Sequence, residues 1–215
     1  MHVEIITVLI PYILRGLEVT LSVTGVALFS GLFIGTILAI LRVYGGKAVS
    51  QILAVYVGAI RSLPHVLLLL VFYLVVANIV NLSRFWAGSL SLAIISSAYQ
   101  AEIVRGAILA VPEGQMMAAR SIGMDRIKAI WHVILPQAFR HAIPPWSNEA
   151  AIVIKDSSLV YILGLPEILR QAQYYSARTY QPFTAYISVA AIYFFLTFFT
   201  NRSLDFLERK IRIPI

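Results

Sequence analysis

At 215 residues, 60% apolar and 13% charged, with a mean hydropathy of +0.83, the chain departs far from the ~45–50% apolar and ~25% charged make-up of water-soluble domains. Its net charge of +7 would suit nucleic acid, but the charges flank long apolar runs instead of forming a patch, so the composition points to a membrane protein with no nucleic-acid partner. Cysteine is absent, which excludes disulfides, thiolate chemistry and cysteine-ligated metal.

A bilayer core takes ~20 apolar residues per helix, and the chain has room for about five such spans. The opening segment, MHVEIITVLIPYILRGLE, carries Glu4 and Glu18, lacks a small-residue cleavage site and runs into a full-length span, so it is expected to stay on the mature chain. The first span is expected at Val19–Leu41, where Gly31 and Gly35 form a Gly-x-x-x-Gly that lets another helix approach closely. Gly45-Gly46-Lys47-Ala48 lacks the leading glycine and the hydroxyl of a phosphate-cradling loop. The second span, Gln51–Val80, contains Arg61 and Pro64. Proline frees a backbone carbonyl and bends the span, and the guanidinium is expected to satisfy such carbonyls or a carboxylate such as Glu102. The third span, Ala87–Leu109, places Glu102 in its inner half.

Between the third and fourth spans lies VPEGQMMAARSIGMDRIKAIWHVILP, residues 111–136, too polar to lie in lipid. Gln115–Ile122 reads as a helix, Gly123 as its stop with φ > 0, and Asp125 as the cap of a second helix that reaches Leu135 before Pro136. The adjacent small residues Ala118 and Ala119 suit close docking.

The fourth span, Pro144–Leu165, is the most polar, with Asn148, Glu149, Lys155, Asp156, Ser157 and Ser158 over three turns. On a helix of 3.6 residues per turn, positions 149, 152, 156 and 160 share a stripe and 148, 155 and 159 lie beside it. Charges within spans cost ~2.5–3.5 kcal/mol each at the helix centre, so they require pairing or function. A zwitterionic solute needs a cation for its carboxylate and an anion for its ammonium, and Lys155 with Asp156 offers both; alternatively, Lys155 pairs with Glu149 or Asp156 and holds helices together. The fifth span is expected at Pro182–Leu204. His2, His65, His132 and His141 show no ligand spacing, so no metal site is expected.

Counting loops and helix ends, the side after spans one, three and five holds eleven Lys and Arg, from Arg42 to Arg212, against Arg15, Arg84, Arg170 and Arg178 on the other. The positive-inside rule then puts the amino terminus outside and the carboxyl terminus in the cytoplasm, with basic residues against membrane lipid. Neither linker nor repeat interrupts residues 1–215, which read as a single transmembrane domain.

Met117-Ala118-Ala119, Gly123 and Ile134-Leu135-Pro136 together resemble the Glu-Ala-Ala signature of binding-protein-dependent ABC importer permeases of the polar amino acid uptake family. Arg61-Ser62-Leu63-Pro64 is similar to the family's Arg-Gly-Thr-Pro elbow, Ala98–Gly106 to its third-span segment, and Asn148-Glu149, Lys155–Val160 and Gly164-Leu165-Pro166 to its fourth. Two departures stand out: Met117 replaces the signature glutamate, and Ser62-Leu63 replaces Gly-Thr.

The resemblance implies an all-α integral membrane protein of the type I importer permease fold, multi-pass in the cytoplasmic (inner) membrane, whose loop is a coupling helix. It implies docking of ATP-binding-cassette ATPase subunits by Met117, Ala118, Ala119, Arg120 and Gly123, and a solute cavity around Glu149, Lys155, Asp156, Ser157, Ser158 and Glu102. Arg61 and Pro64 would form the structural elbow. Further partners are an external solute-binding protein and a second permease subunit, identical or not, with the loss of the glutamate favouring a heterodimer. ATP and Mg would belong to the ATPase, this chain holding no cofactor and catalysing no reaction. A standalone channel or ion-coupled transporter is the alternative. Intramembrane hydrolysis is disfavoured by the absence of His-Glu-x-x-His and Gly-x-Ser-x-Gly.

Overall fold

The structure, a computed structural model, describes residues 5–211. His2, Glu4 and Arg212 lie outside the described residues. After a π-helical stretch Ile5–Leu9 come α1 (Ile10–Leu14), α2 (Leu17–Tyr44), α3 (Lys47–Ser62), α4 (His65–Val71), α5 (Arg84–Ala110), α6 (Glu113–Ser121), α7 (Arg126–Ala129), α8 (Leu135–Asp156), α9 (Ile168–Thr179) and α10 (Pro182–Ile211), with no strand among the described residues.

Three stretches are long and apolar enough to cross a bilayer, Thr7–Tyr44, Arg84–Ala110 and Pro182–Lys210. The expected second span is two helices: α3 and the α4 stretch, which runs on through a π-helical Phe72–Ala77, meet at 105°. Leu63 is extended before Pro64, as the proline ring requires, so the helix cannot pass through the pair. The fourth expected span is a polar helix, buried along one side, that begins earlier and ends earlier than its sequence suggested. Helix α8 already runs from Leu135, keeps Pro144 and Pro145 inside it, and stops at Asp156, after which Ser157–Leu163 winds as a 3-10 helix. Nor does Pro136 end the loop's second helix. A π-helical stretch, Ile130–Ile134, joins α7 to α8, so the hydrogen-bond register shifts just before the residue that cannot donate.

Helix α5 lies at the centre. Of its most apolar window 61% is buried, against 17% for α10. Its inward positions are mostly small, among them Ala87, Gly88, Ser89, Ser97, Ala98 and Ala101, so neighbouring backbones close in from several sides. Gly31 and Gly35 of α2 meet it where the sequence placed the close approach. A Cβ on Gly35 would lie 2.9 Å from both the Ala101 nitrogen and the Ser97 carbonyl oxygen.

The two ends of the bundle are held differently. At one end Arg42 of α2 and Arg105 both bind Glu102, and Arg126 sits 5.3 Å from the centre of the Tyr44 ring, which ties the loop helices to the ends of α2 and α5. At the other end, Leu9, Ile13, Ile168, Ala172, Ala185 and Val189 form a small core joining α1, α9 and α10. There Glu167, fully buried, caps α9 by accepting from the Leu169 and Arg170 N–H groups at 2.7 and 2.6 Å, and also accepts the Tyr193 hydroxyl at 3.0 Å. Gly16 touches this cap so closely that a Cβ would stand 2.3 Å from the Glu167 carbonyl carbon. The Ile168 N–H donates across the junction to Thr20 Oγ1 at 3.3 Å.

Candidate functional site

Where α4 restarts after Pro64, its first residue is His65, and the 105° break turns that ring toward α5 and α8. His65 Nδ1 bonds Asp156 Oδ2 at 2.7 Å, and its Nε2 lies 3.2 Å from the Tyr99 hydroxyl. Arg61, on the other arm of the break, holds its guanidinium 5.1 Å from the centre of the Tyr99 ring. About two turns up α8 from Asp156, Glu149 is buried and accepts from Ser96 Oγ at 2.7 Å. A relay of donors ends there: Trp146 Nε1 donates to Gln100 Oε1 at 2.8 Å, Gln100 Nε2 to Ser96 Oγ at 2.9 Å, and Ser96 to Glu149. Such aligned bonds polarise one another toward the carboxylate. Gln100 also donates to the Leu28 carbonyl at 3.1 Å, so the relay pins α2, α5 and α8 together.

His65, Ser96, Tyr99, Glu149 and Asp156 face one another around a cavity closed by Leu92, Ile95, Ile152 and Val153. Its volume is ≈ 10 Å³, room for about one water. Two carboxylates, an imidazole, a phenol and a hydroxyl thus converge among apolar walls, an arrangement whose chemistry suits charge pairing and hydrogen bonding with a polar group.

The expected site residues divide. Glu149 and Asp156 line the cavity on the stripe their spacing set. Ser157 is buried beside it but donates back to the Ile154 carbonyl at 2.7 Å, and Ser158 is half-buried on the 3-10 turn. Lys155 is exposed and, among the described residues, makes no ion pair, so it pairs with neither Glu149 nor Asp156. Glu102 is elsewhere, accepting from Arg42 and, at 2.7 Å, from Arg105; Arg61 therefore stacks on Tyr99 instead of pairing with it. His65, Ser96 and Tyr99 were missed as site residues. Their signal was weak: a histidine at the restart of a proline-broken helix, and polar residues inside an otherwise apolar span.

In the loop, α6 covers Glu113–Ser121 and Gly123 takes φ +86°, the left-handed conformation its sequence called for. Asp125 caps α7, its Oδ1 accepting from the Lys128 N–H at 2.8 Å. That bond, with the Lys128 ammonium at 3.5 Å, holds the carboxyl below its ordinary value. Met117, Ala118 and Arg120 face outward, whereas Ala119 is buried against the protein, so the two alanines serve opposite faces. Arg120 Nη1 donates to the Met124 carbonyl at 3.1 Å and braces the turn.

Several comparisons converge on this architecture. The glutamine transport system permease protein GlnP of Escherichia coli is 33% identical over 207 residues, covering 95% of this chain and 94% of the relative. The L-cystine transport system permease protein TcyB of Bacillus subtilis is 36% identical over 203 residues, 94% of this chain and 87% of the relative. Octopine permease OccQ of Agrobacterium tumefaciens is 32% identical over 210 residues, with coverages of 92% and 89%. A solved amino acid ABC transporter with histidines superposes with a TM-score of 0.81 at 36% identity, covering 93% of this chain and 94% of that one. The MetNI methionine ABC transporter shares the fold, with a TM-score of 0.84 at 21% identity and coverages of 94% and 97%. The profile of the binding-protein-dependent transport system inner membrane component matches residues 31–213. A polar cavity inside a helical bundle, a capped helix-turn-helix at one end and these likenesses lead to one conclusion: the chain belongs to the family of inner membrane components of binding-protein-dependent transport systems.

Proposed function

We propose that this chain forms half of the membrane passage of an ATP-driven importer for a polar amino acid. The observation that carries the reading is the cluster of Glu149, Asp156, His65 and Tyr99 around one cavity, far more polar than packing alone would select inside a span. The carboxylates suit an ammonium. The cation that a solute carboxylate needs is Arg61 or His65, both beside the cavity, in place of the outward-facing Lys155. Glutamine, cystine and octopine permeases among the relatives support an amino acid or a derivative of one as the solute.

The site as it stands holds about one water, so passage requires α4 and α8 to part. An external binding protein delivers the solute, and paired ATPase subunits, which carry ATP and Mg, drive the opening through α6. The second permease subunit is a different chain that retains the glutamate replaced here by Met117. The chain sits multi-pass in the inner membrane, amino terminus outside and the α6–α7 loop in the cytoplasm, as the distribution of Lys and Arg supports.

The test is reconstitution of the complex in proteoliposomes, with binding-protein-stimulated ATP hydrolysis measured across a panel of amino acids. Stimulation by one solute class is expected. Asp156→Asn should lower it at least roughly tenfold, the effect of ~1.4 kcal/mol, while Lys155→Met leaves it in place. Equal stimulation in both variants would return Asp156 to a structural role, and solute flux without any ATPase would favour a channel.

A further inference from the structure

Helix α4, HVLLLLV, has a single polar side chain, His65, and of its residues only Leu69 is buried. The extended Leu63 and Pro64 separate it from α3, where Val57 alone is buried. This arm is thinly packed, and apolar contacts of that kind give it little direction. Direction comes from His65. Its Nδ1 bonds Asp156 Oδ2 at 2.7 Å, 91 residues further along the chain, and its ring meets Tyr99 edge-on with centroids 5.7 Å apart.

The same contact shuts the cavity, which both residues line. Among the described residues His65 is the one ion-pair partner of Asp156. Arg61, on the near arm of the break, lies 5.1 Å from the centre of the Tyr99 ring and has no ion pair among the described residues. Glu149 is held by Ser96, and Lys155 faces away. The closed site therefore has one internal pair, His65 with Asp156, and one uncommitted cation beside it.

We infer that His65 is a specificity-determining residue that makes the site answer to a whole zwitterion: the solute's ammonium takes Asp156 from His65, and the released ring joins Arg61 on the solute's carboxylate. This rests on the reading of the cavity as the path of an amino acid. The exchange loses one bond and makes at least three, since an ammonium donates to Asp156 while a carboxylate accepts from both Arg61 and His65. The ring needs no change of protonation, because the N–H that leaves Asp156 is the one offered to the carboxylate. An amine alone leaves the ring without an acceptor, and an acid alone leaves Asp156 without a donor, so each half buries an unsatisfied group.

The chain has no cysteine, so one placed in the cavity wall reports its opening. Ile152→Cys is introduced into every form, the assembled complex is reconstituted in lipid, and labelling of that residue by a water-soluble thiol reagent is timed by mass spectrometry. Insertion is checked by membrane yield. With His65 in place, labelling should be slow, should rise at least about threefold with a mixture of the common amino acids, and should not respond to ethylamine or acetate alone. His65→Leu should label at least about tenfold faster without solute, a shift of ~1.4 kcal/mol. Asp156→Asn, which weakens the contact from the other side, should also speed labelling, and the double variant should add little to either, as two ends of one contact require. His65→Asn keeps an N–H for Asp156 and should stay within about twofold of the unlatched form's slow parent. Labelling of both His65→Leu and Asp156→Asn at the parent rate overturns the inference, as does opening by ethylamine or acetate equal to that by the mixture. Fast labelling of His65→Leu with no response of the parent to any amino acid overturns instead the reading of the cavity as the solute's path.

Discussion

A carboxylate inside a helical bundle has to be answered by donors, and the two ends of this protein answer theirs in opposite ways. Glu149 is met by one hydroxyl and the rest of it faces the cavity, while Glu167 is met by three donors and faces nothing else. Burial nevertheless pushes the Glu167 carboxyl, which lies in the link outside the spans, up to about 7, against the Leu169 and Arg170 N–H groups and the Tyr193 hydroxyl that pull it down. A carboxyl whose value in the fold exceeds its unfolded one stabilises fully below the unfolded value, near 4.5, and loses that stabilisation as pH rises through about 7. Melting temperature in detergent should therefore fall between pH 5 and pH 8, and Glu167→Gln should flatten the fall; a wild type that grows more stable over that range would show the ionised cap to be the favoured form. Residue identities of this kind were only partly legible in sequence. Glu149 and Asp156 share a helix, so its period alone put them on one face. His65 and Tyr99 come from two other helices, and no spacing along one chain records a convergence of three. Lys155, one position from Asp156, is rotated by about 100° on a helix of 3.6 residues per turn, which sends it out of the site.

Elements were legible where one physical cause dominates. Gly31 and Gly35 predicted a close neighbour, and α5 is that neighbour. Gly35→Val would drive methyl groups into the Ala101 and Ser97 backbone, which has no side-chain freedom to yield, so a loss of ~1–3 kcal/mol is expected. Thermal unfolding in detergent checks it: a melting temperature within a degree or so of wild type would mean α2 and α5 separate at little cost. Prolines were harder to read. Pro64 was visible as a bend but its 105° was not, and beyond the break Leu69 is buried in the core, a long-range contact that no local pattern records. Pro136 reads as a helix stop and Pro144 as the start of a span, yet α8 runs through both and through Pro145, with a π-helical stretch just before the first.

At the scale of the whole molecule, α7, Ile130–Ile134 and α8 make one nearly continuous helical path from Arg126 to Asp156, which joins the α6–α7 loop to the cavity. Gly123 is its entry. The space around it is open, so a side chain there meets no atom, and the cost of Gly123→Val is the backbone's alone, ~1–2 kcal/mol for leaving φ +86° to a β-branched residue. That variant should insert normally and lose solute-stimulated ATP hydrolysis; stimulation at the wild-type level would show that the turn does not transmit motion. The junction at the opposite end has a consequence for biosynthesis. Thr20 lies in α2, but the N–H it accepts lies 148 residues later in the chain, at Ile168. At ~5–20 residues per second α2 waits on the order of ten seconds for that partner. During that interval Thr20 is threaded but unlatched, so α2 completes its contacts only once the start of α9 has emerged.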